Sequence, residues 1–153
     1  MEKDGLHSVN TGAKFQSFIE RSLKEMGYKS ITKKEFDSST YFNDKVYTKN
    51  HIIGISIYET KLSCNFIIYN KEKYPNFLVI ETKWQQKLGT VDEKYPYWIL
   101  NIKNQIPYKT IIVLDGGGYR KGAEKWVKKQ LGGNLINIFN MREFQKWVNE
   151  GGL

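Results

Sequence analysis

Cysteine, histidine and proline are scarce in this chain of 153 residues, which contains one, two and three of them. A single cysteine excludes an internal disulfide, so we expect a reducing compartment, the cytoplasm. Two isolated histidines lack the spacing of zinc ligands. No apolar run approaches the roughly 20 residues of a membrane helix, and the first residues lack the layout of a signal peptide. We therefore expect no membrane partner.

Apolar residues are plentiful enough for one core. Hydrophobic residues make up 40% of the sequence and aromatics 14%, which argues against a disordered chain. The length suits a single domain over residues 1–153, with residues 1–11 as a flexible arm. Lysine and arginine number 24 against 16 acidic residues, a net charge of +8. This excess favours a polyanion as partner, although a lysine-rich composition can also serve solubility alone.

Hydrophobic periodicity predicts an alternation of helices and strands in the order αβββαβαβα. The predicted helices cover 12–26, 91–102, 121–131 and 141–149, and the predicted strands 51–59, 61–70, 76–83, 110–114 and 135–139. Three consecutive strands indicate a meander, and the later alternation indicates parallel crossovers. The sequence therefore predicts an α/β fold with a mixed central sheet flanked by helices. Residues 30–50 are polar and irregular, apart from a short strand near 46–47.

The most informative segment is the strand over 76–83, which is apolar until Ile80 and then continues as Glu81-Thr82-Lys83. Because side chains alternate along a strand, Glu81 and Lys83 point to the same side. A carboxylate and an ammonium at a strand end can together hold a divalent metal and a phosphate. The pattern predicts a nuclease.

This element order, with Glu81-x-Lys83 ending the third strand, resembles the PD-(D/E)XK nuclease superfamily, which includes many type II restriction endonucleases. The resemblance covers roughly residues 12–153. It includes Gly12 and Phe15 in the first helix and the glutamines of Trp84-Gln85-Gln86 after the lysine. It implies a Mg²⁺-dependent endodeoxyribonuclease, for which Mn²⁺ can substitute, that cuts double-stranded DNA and leaves a 5′-phosphate.

The resemblance also implies roles for residues near the strand end. Glu81 and the residue at position 65 would hold Mg²⁺, with the backbone carbonyl of Thr82 as a further ligand. Lys83 would orient the attacking water and neutralise charge on the phosphate. Gln85 lies on the same side as Lys83 by alternation and could position phosphate or water.

Further candidates lie outside this strand. Gln16 and Glu20 are four residues apart on the first helix and either support the metal site or are ordinary solvated residues. Lys94, Arg120 and Lys121 are candidate DNA contacts. Arg120 and Lys121 follow the loop Asp115-Gly116-Gly117-Gly118, which either contacts the DNA backbone or is only a tight turn. The segment 30–50 is a candidate DNA-facing region.

One position departs from the family pattern. The first metal-binding carboxylate should stand on the second strand, where this sequence has Asn65. An amide oxygen can coordinate a hard cation but carries no charge, so we expect weak Mg²⁺ binding and impaired activity. Three explanations are open: a deliberate substitution, which we favour, a natural degenerate nuclease, or a carboxylate from elsewhere, such as Glu59, Asp44 or Glu20.

A single site in so small a chain favours a homodimer, whose twofold axis would match a palindromic target. Two alternatives remain. One is a structure-specific or nicking DNA nuclease, and the other is a DNA-binding protein that keeps the fold without the chemistry. A natural aspartate at position 65 supports an enzyme, whereas a natural asparagine supports a DNA-binding protein.

Overall fold

A computed structural model describes residues 2–40 and 44–153, with side chains described from residue 12 onward. The helices are α1 (Glu2–Glu25), α2 (Lys33–Ser38), α3 (Tyr95–Gln105), α4 (Lys121–Lys129) and α5 (Met141–Asn149). The strands are β1 (Lys29–Ser30), β2 (Lys45–Ile55), β3 (Lys61–Asn70), β4 (Tyr74–Trp84), β5 (Lys109–Asp115) and β6 (Leu135–Phe139). A 3₁₀ helix, Val91–Lys94, leads directly into α3. None of the described helices is both long and apolar enough to cross a bilayer.

The six strands form one mixed sheet in the order β1-β2-β3-β4-β5-β6. Strands β2, β3 and β4 are an antiparallel meander, whereas β5 and β6 continue the sheet parallel to β4. The α/β fold with helices flanking a mixed sheet is thereby confirmed. The parallel half needs crossover connections, which α3 and α4 supply.

Two apolar cores lie on opposite faces of the sheet, because successive strand residues point to opposite sides. Val79 of β4 belongs to the core under α3 and α4, and Ile80 to the core under α1 and α5. The first core is completed from α3 by Tyr95, Ile99 and Ile102, and the second from α1 by Phe15, Ile19 and Leu23. Each such side chain contributes roughly 1.5–3 kcal/mol when fully buried. By alternation, Glu81 and Lys83 share the α3 face with Val79.

Helix α1 begins at Glu2, ten residues before the predicted helix over 12–26, and Met1 lies outside the described residues. The flexibility of an arm over residues 1–11 stays a prediction. The apolar stripe that predicts the helix starts only at Phe15. Extending a helix that has already nucleated is inexpensive, so a backbone can stay helical beyond its buried stripe.

The described residues of the segment 30–50 are more regular than their composition predicts. Strand β1 pairs in parallel with β2, and α2 follows with Phe36 buried. Strand β2 begins at Lys45 and ends at Ile55, because it pairs with β3 from Lys45 opposite Asn70 to Ile55 opposite Lys61. The predicted strand over 51–59 is therefore displaced, and its last residues lie in the turn of the hairpin. Residues 41–43 lie outside the described part of the chain.

Candidate active site

The site lies where β3 and β4 stop pairing. Their ladder extends to Phe66 opposite Ile80, and beyond it the Asn65 side chain replaces a backbone partner. Its Oδ1 accepts a hydrogen bond of 2.8 Å from the backbone N–H of Thr82. Asn65, Glu81 and Lys83 all line one cavity of about 380 Å³. The structure thus brings together the three side chains that the sequence singled out.

Glu81 is almost withdrawn from solvent, with 6% of its surface exposed. Burial raises the pKa of its carboxyl to about 7, against the opposing effects of the nearby Lys83 ammonium and a hydrogen bond from the Asn65 backbone. Loss of hydration disfavours the charged form, which is why burial dominates. At neutral pH the carboxyl is divided between its two forms. A cation bound beside it would favour the ionised form, so protons and cations compete for Glu81.

Lys83 occupies the outer part of the cavity, where its side chain is exposed. Its Nζ lies 5.3 Å from the centre of the ring of Trp98, a residue of α3 that lines the same cavity. An ammonium over an indole face is attracted by the electron density of the ring. Trp98 therefore restricts the position of the Lys83 ammonium within the cavity that also contains Glu81.

The remaining lining is mainly apolar. The side chains of Leu62, Val91, Tyr95, Trp98, Ile102 and Ile106 line the same cavity as Glu81, and Ser63 and Lys94 are exposed members of the lining. Glu81 is the only acid among the described residues that line the cavity. Lys94, a candidate DNA contact, is thus placed at the same opening as Lys83.

Gln85 is not in the lining of this cavity. It is buried, and its amide nitrogen donates to the carbonyls of Gly118 and Lys87 over 3.2 and 3.3 Å. Its amide oxygen accepts a 2.7 Å hydrogen bond from the Tyr95 hydroxyl. The side chain therefore connects the chain after β4 with α3 and with the glycine loop. Tyr95 and Gly118 lie 10 and 33 residues from Gln85 in sequence, and no local pattern predicts these contacts.

The glycine loop that follows β5 packs directly on the backbone after β4. A Cβ on Gly118 would lie 2.3 Å from the carbonyl carbon of Gln86, and one on Gly116 would lie 2.4 Å from the carbonyl oxygen of Gln85. The Gly118 N–H donates to that Gln85 oxygen over 2.7 Å. Only glycine permits this approach. The loop supports the end of β4.

Arg120, a candidate DNA contact, interacts with two acidic residues of the 3₁₀ helix. Its backbone N–H donates to Asp92 Oδ2 over 2.9 Å, its guanidinium pairs with the same carboxylate, and Glu93 lies 3.7 Å away. The Asp92 side chain is completely buried. Asp92 therefore joins the 3₁₀ helix to the start of α4. Lys121 is exposed at the first position of α4.

The structure does not bring Gln16 and Glu20 to the cavity. Helix α1 packs on the other face of the sheet, where Glu20 pairs with Lys49 at 2.7 Å and Lys24 at 3.3 Å, and Gln16 is exposed. Glu59 and Asp44, the other proposed sources of a second carboxylate, are also exposed and do not line the cavity.

The oxygens at the cavity match a hard cation in kind but not in charge. Glu81 offers one carboxylate, and the Asn65 oxygen already accepts the Thr82 N–H, which leaves it one further lone pair. The described residues contain no group of three or more His, Cys, Asp or Glu that could hold a metal ion. A divalent cation would therefore rely on Glu81, neutral oxygens and water, a set that binds Mg²⁺ weakly.

Comparison with known proteins agrees with this geometry. No curated protein and no solved structure matches the chain. A family model described as the PD-(D/E)XK nuclease superfamily domain matches residues 7–151, a span that includes β3, β4 and every residue of the cavity. The chain therefore belongs to the PD-(D/E)XK nuclease superfamily.

Proposed function

We propose that this nuclease is a Mg²⁺-dependent endonuclease for double-stranded DNA, of restriction type, whose activity Asn65 impairs. The observation that carries the proposal is the shared cavity of Asn65, Glu81 and Lys83. An acid, an amide and an ammonium gathered at the end of a strand suit the hydrolysis of a phosphodiester. The net charge of +8 favours a polyanionic substrate.

Each side chain has a distinct task in this proposal. Glu81 would hold Mg²⁺, and Asn65 and the Thr82 carbonyl would add neutral oxygens. When bound, the metal supplies polarisation of the phosphate and a more acidic water. Lys83 would place its ammonium against the phosphate, where negative charge increases during attack, and orient the attacking water. Lys94, at the same opening, would bind a neighbouring phosphate, with Lys121 as a more distant contact. Cleavage would leave a 5′-phosphate.

Gln85, Gln16, Glu20 and Arg120 receive supporting tasks only. Gln85 would keep the end of β4 in position through Tyr95 and Gly118. Arg120 would hold the 3₁₀ helix beside the cavity through Asp92. Gln16 and Glu20 would act only through the α1 face, without touching the reacting groups.

Restoring the missing charge tests the proposal. Asn65→Asp gives the cation a second anionic ligand, so we expect Mg²⁺-dependent cleavage of mixed duplex DNA to increase by at least about 100-fold. Mn²⁺ should also serve. The rate should vanish again in the double variant Asn65→Asp/Glu81→Gln. Asn76→Asp, at an exposed position of β4 outside the cavity, is the matched control and should leave the rate unchanged.

Sequencing the ends of the fragments distinguishes the kinds of nuclease. A discrete set of fragments indicates a restriction enzyme, whereas random nicks or cuts restricted to branched DNA indicate the structure-specific alternative. If a folded Asn65→Asp variant cuts no DNA with either metal, the enzyme proposal is rejected. DNA binding without cutting by both forms would then support a binding protein that keeps the fold.

A homodimer is the proposed working form. One active site cuts one strand, so cutting both strands of a duplex requires two copies of the chain or two successive binding events. A twofold dimer matches a palindromic site. Sedimentation of the chain with and without duplex DNA should show a dimer. The proposed compartment is the cytoplasm, where the buried thiol of Cys64 stays reduced.

A further inference from the structure

The cavity contains more apolar surface than a phosphate and a hydrated cation can use. Its inner walls consist of Leu62, Tyr95, Trp98, Ile102 and Ile106, most of them buried. A charged phosphate gains nothing from these groups, because it loses water there without a hydrogen bond in return. At about 380 Å³, the space lies within the range of sites that enclose a small, mainly apolar ligand.

The charged groups limit what that ligand is. Lys83 and Lys94 are exposed at the opening, so a phosphodiester held by them stands at the mouth of the cavity. The group covalently nearest to such a phosphate is a nucleoside, whose base is flat and apolar on both faces. Aromatic walls are the usual partners of an unstacked base.

An aromatic pair beside the opening matches this arrangement. Tyr97, which lines the cavity, is stacked on Tyr58 with ring centres 5.0 Å apart and planes inclined by 24°. Tyr58 is 72% exposed and Tyr97 37% exposed. Most of the Tyr58 surface is therefore exposed, and a further flat group can pack against an exposed ring.

We propose that the cavity binds one nucleobase turned out of the DNA helix, immediately beside the phosphate that is cut. The substrate class is therefore DNA with an unpaired or extruded nucleotide at the cleavage position. Ser63 and Asn65, both in the lining, would offer polar groups to the edge of that base. The proposal rests on the proposed nuclease function and adds its substrate geometry.

The test compares two DNA probes on the unsubstituted chain. One is a fluorescent duplex of about 20 base pairs, and the other is the same duplex with one unpaired adenine in its centre. Affinities are measured by fluorescence anisotropy in Mg²⁺, and gels verify that the DNA stays intact. An unpaired base requires less free energy to leave the helix than a paired one. We therefore expect the bulged duplex to bind at least about 10-fold more tightly than the fully paired duplex.

Filling the cavity should remove this preference. Ser63→Trp, from β3, and Val91→Trp, from the 3₁₀ helix, each place an indole at the opening from an exposed position. We expect either variant to bind both probes with equal affinity. Asn76→Trp adds the same bulk at an exposed position of β4 outside this cavity and should keep the preference. Two filling variants are used so that misfolding of one still leaves a result.

The outcomes separate this inference from the nuclease proposal. Equal binding of both probes by the unsubstituted chain, or a preference that survives the folded filling variants, overturns the inference. If the Asn65→Asp variant nevertheless cuts paired DNA, the nuclease proposal stands alone. If the unsubstituted chain binds neither probe and the Asn65→Asp variant cuts nothing, both proposals fail.

Discussion

At the scale of single residues, Glu81 combines two opposing requirements. A metal ligand must be ionised, yet burial raises the pKa of this carboxyl to about 7. In an unfolded chain the same group would ionise near 4.5. Between these two values the folded protein binds more protons than the unfolded chain, so its free energy of unfolding falls as pH rises. Ionising Glu81 without a cation therefore costs stability.

Removing the charge should remove this pH dependence. We expect Glu81→Gln to differ little from the unsubstituted chain in its pH trend below about pH 4.5. The unsubstituted chain loses stability between about pH 4.5 and pH 7, and the variant does not. Above pH 7 the free energy of unfolding of the variant, compared with that of the unsubstituted chain, should therefore have risen by up to about 3 kcal/mol from its value at pH 4.5. Urea denaturation at a series of pH values between 4 and 8 measures the difference. Glu72→Gln, which changes an exposed carboxyl, should show no such gain.

Mg²⁺ should restore part of the stability that the ionisation of Glu81 costs. It binds the folded state through ionised Glu81, so at pH 8 it should raise the unfolding midpoint of the unsubstituted chain but not that of Glu81→Gln. Equal shifts in both proteins would show that the cation binds elsewhere.

Trp98 should act as a positioning residue for Lys83. In an Asn65→Asp background, we expect Trp98→Ala to lower kcat about 10-fold, since the ammonium loses the ring that restricts it. Trp98→Phe keeps a ring face for the ammonium and should recover most of the rate. Trp126→Ala, on the exposed side of α4, is the matched control. Steady-state cleavage kinetics provide the measurement, and failure of Trp98→Phe to exceed Trp98→Ala would contradict the assignment.

Strand alternation, a local rule, predicts that Glu81 and Lys83 share one face, and the family resemblance indicates position 65 on the neighbouring strand. The shared cavity agrees with that placement. The sequence could not predict the partners of Gln85 or Arg120. The contacts of Gln85 with Gly118 and of Arg120 with Asp92 join residues 33 and 28 positions apart, which only the packing of the loop after β5 brings together.

At the scale of elements, the loop after β5 and the end of β4 form one packed unit. We expect Gly118→Ala to lower the unfolding free energy by about 1–3 kcal/mol, because its Cβ would overlap the backbone of Gln86. The shift of β4 should also lower cleavage by the Asn65→Asp form. Thermal unfolding and cleavage rates together test both effects.

Gly122→Ala is the matched control for this prediction. Its added Cβ meets no atom within 4 Å and lies in helix α4. Alanine is the better helix former, so the variant should be as stable as the unsubstituted chain or up to about 1 kcal/mol more stable. If both variants behave alike, close packing at Gly118 is not the cause.

Element boundaries were predictable where apolar runs are bounded by polar or turn residues. Strands over 61–70 and 135–139 and the helix over 141–149 match β3, β6 and α5. The last of these has a capping box between Asn140 and Glu143, a local signal. By contrast, β1 and α2 have two and six residues, too few for periodicity. They are ordered by pairing with β2 and by the burial of Phe36.

At the scale of the whole molecule, the net charge of +8 should make DNA binding depend strongly on salt. Each phosphate contact releases counterions, so Lys94→Ala and Lys121→Ala should each reduce the slope of log affinity against log salt by about 1. Lys146→Ala changes an exposed lysine of α5, on the other face of the sheet, and should leave the slope unchanged. Anisotropy titrations between 50 and 300 mM salt, roughly the range where such slopes are resolved, supply the measurement.

The pairing of Arg120 with the buried Asp92 has a consequence for such titrations. Ions in solution screen exposed charges far more than enclosed ones, so this link should persist at concentrations that release DNA. Val91 and Lys94, on the same 3₁₀ helix, would then hold their places throughout. A salt series should therefore measure the loss of phosphate contacts alone, because the residues at the opening of the cavity keep their positions at every salt concentration in the series.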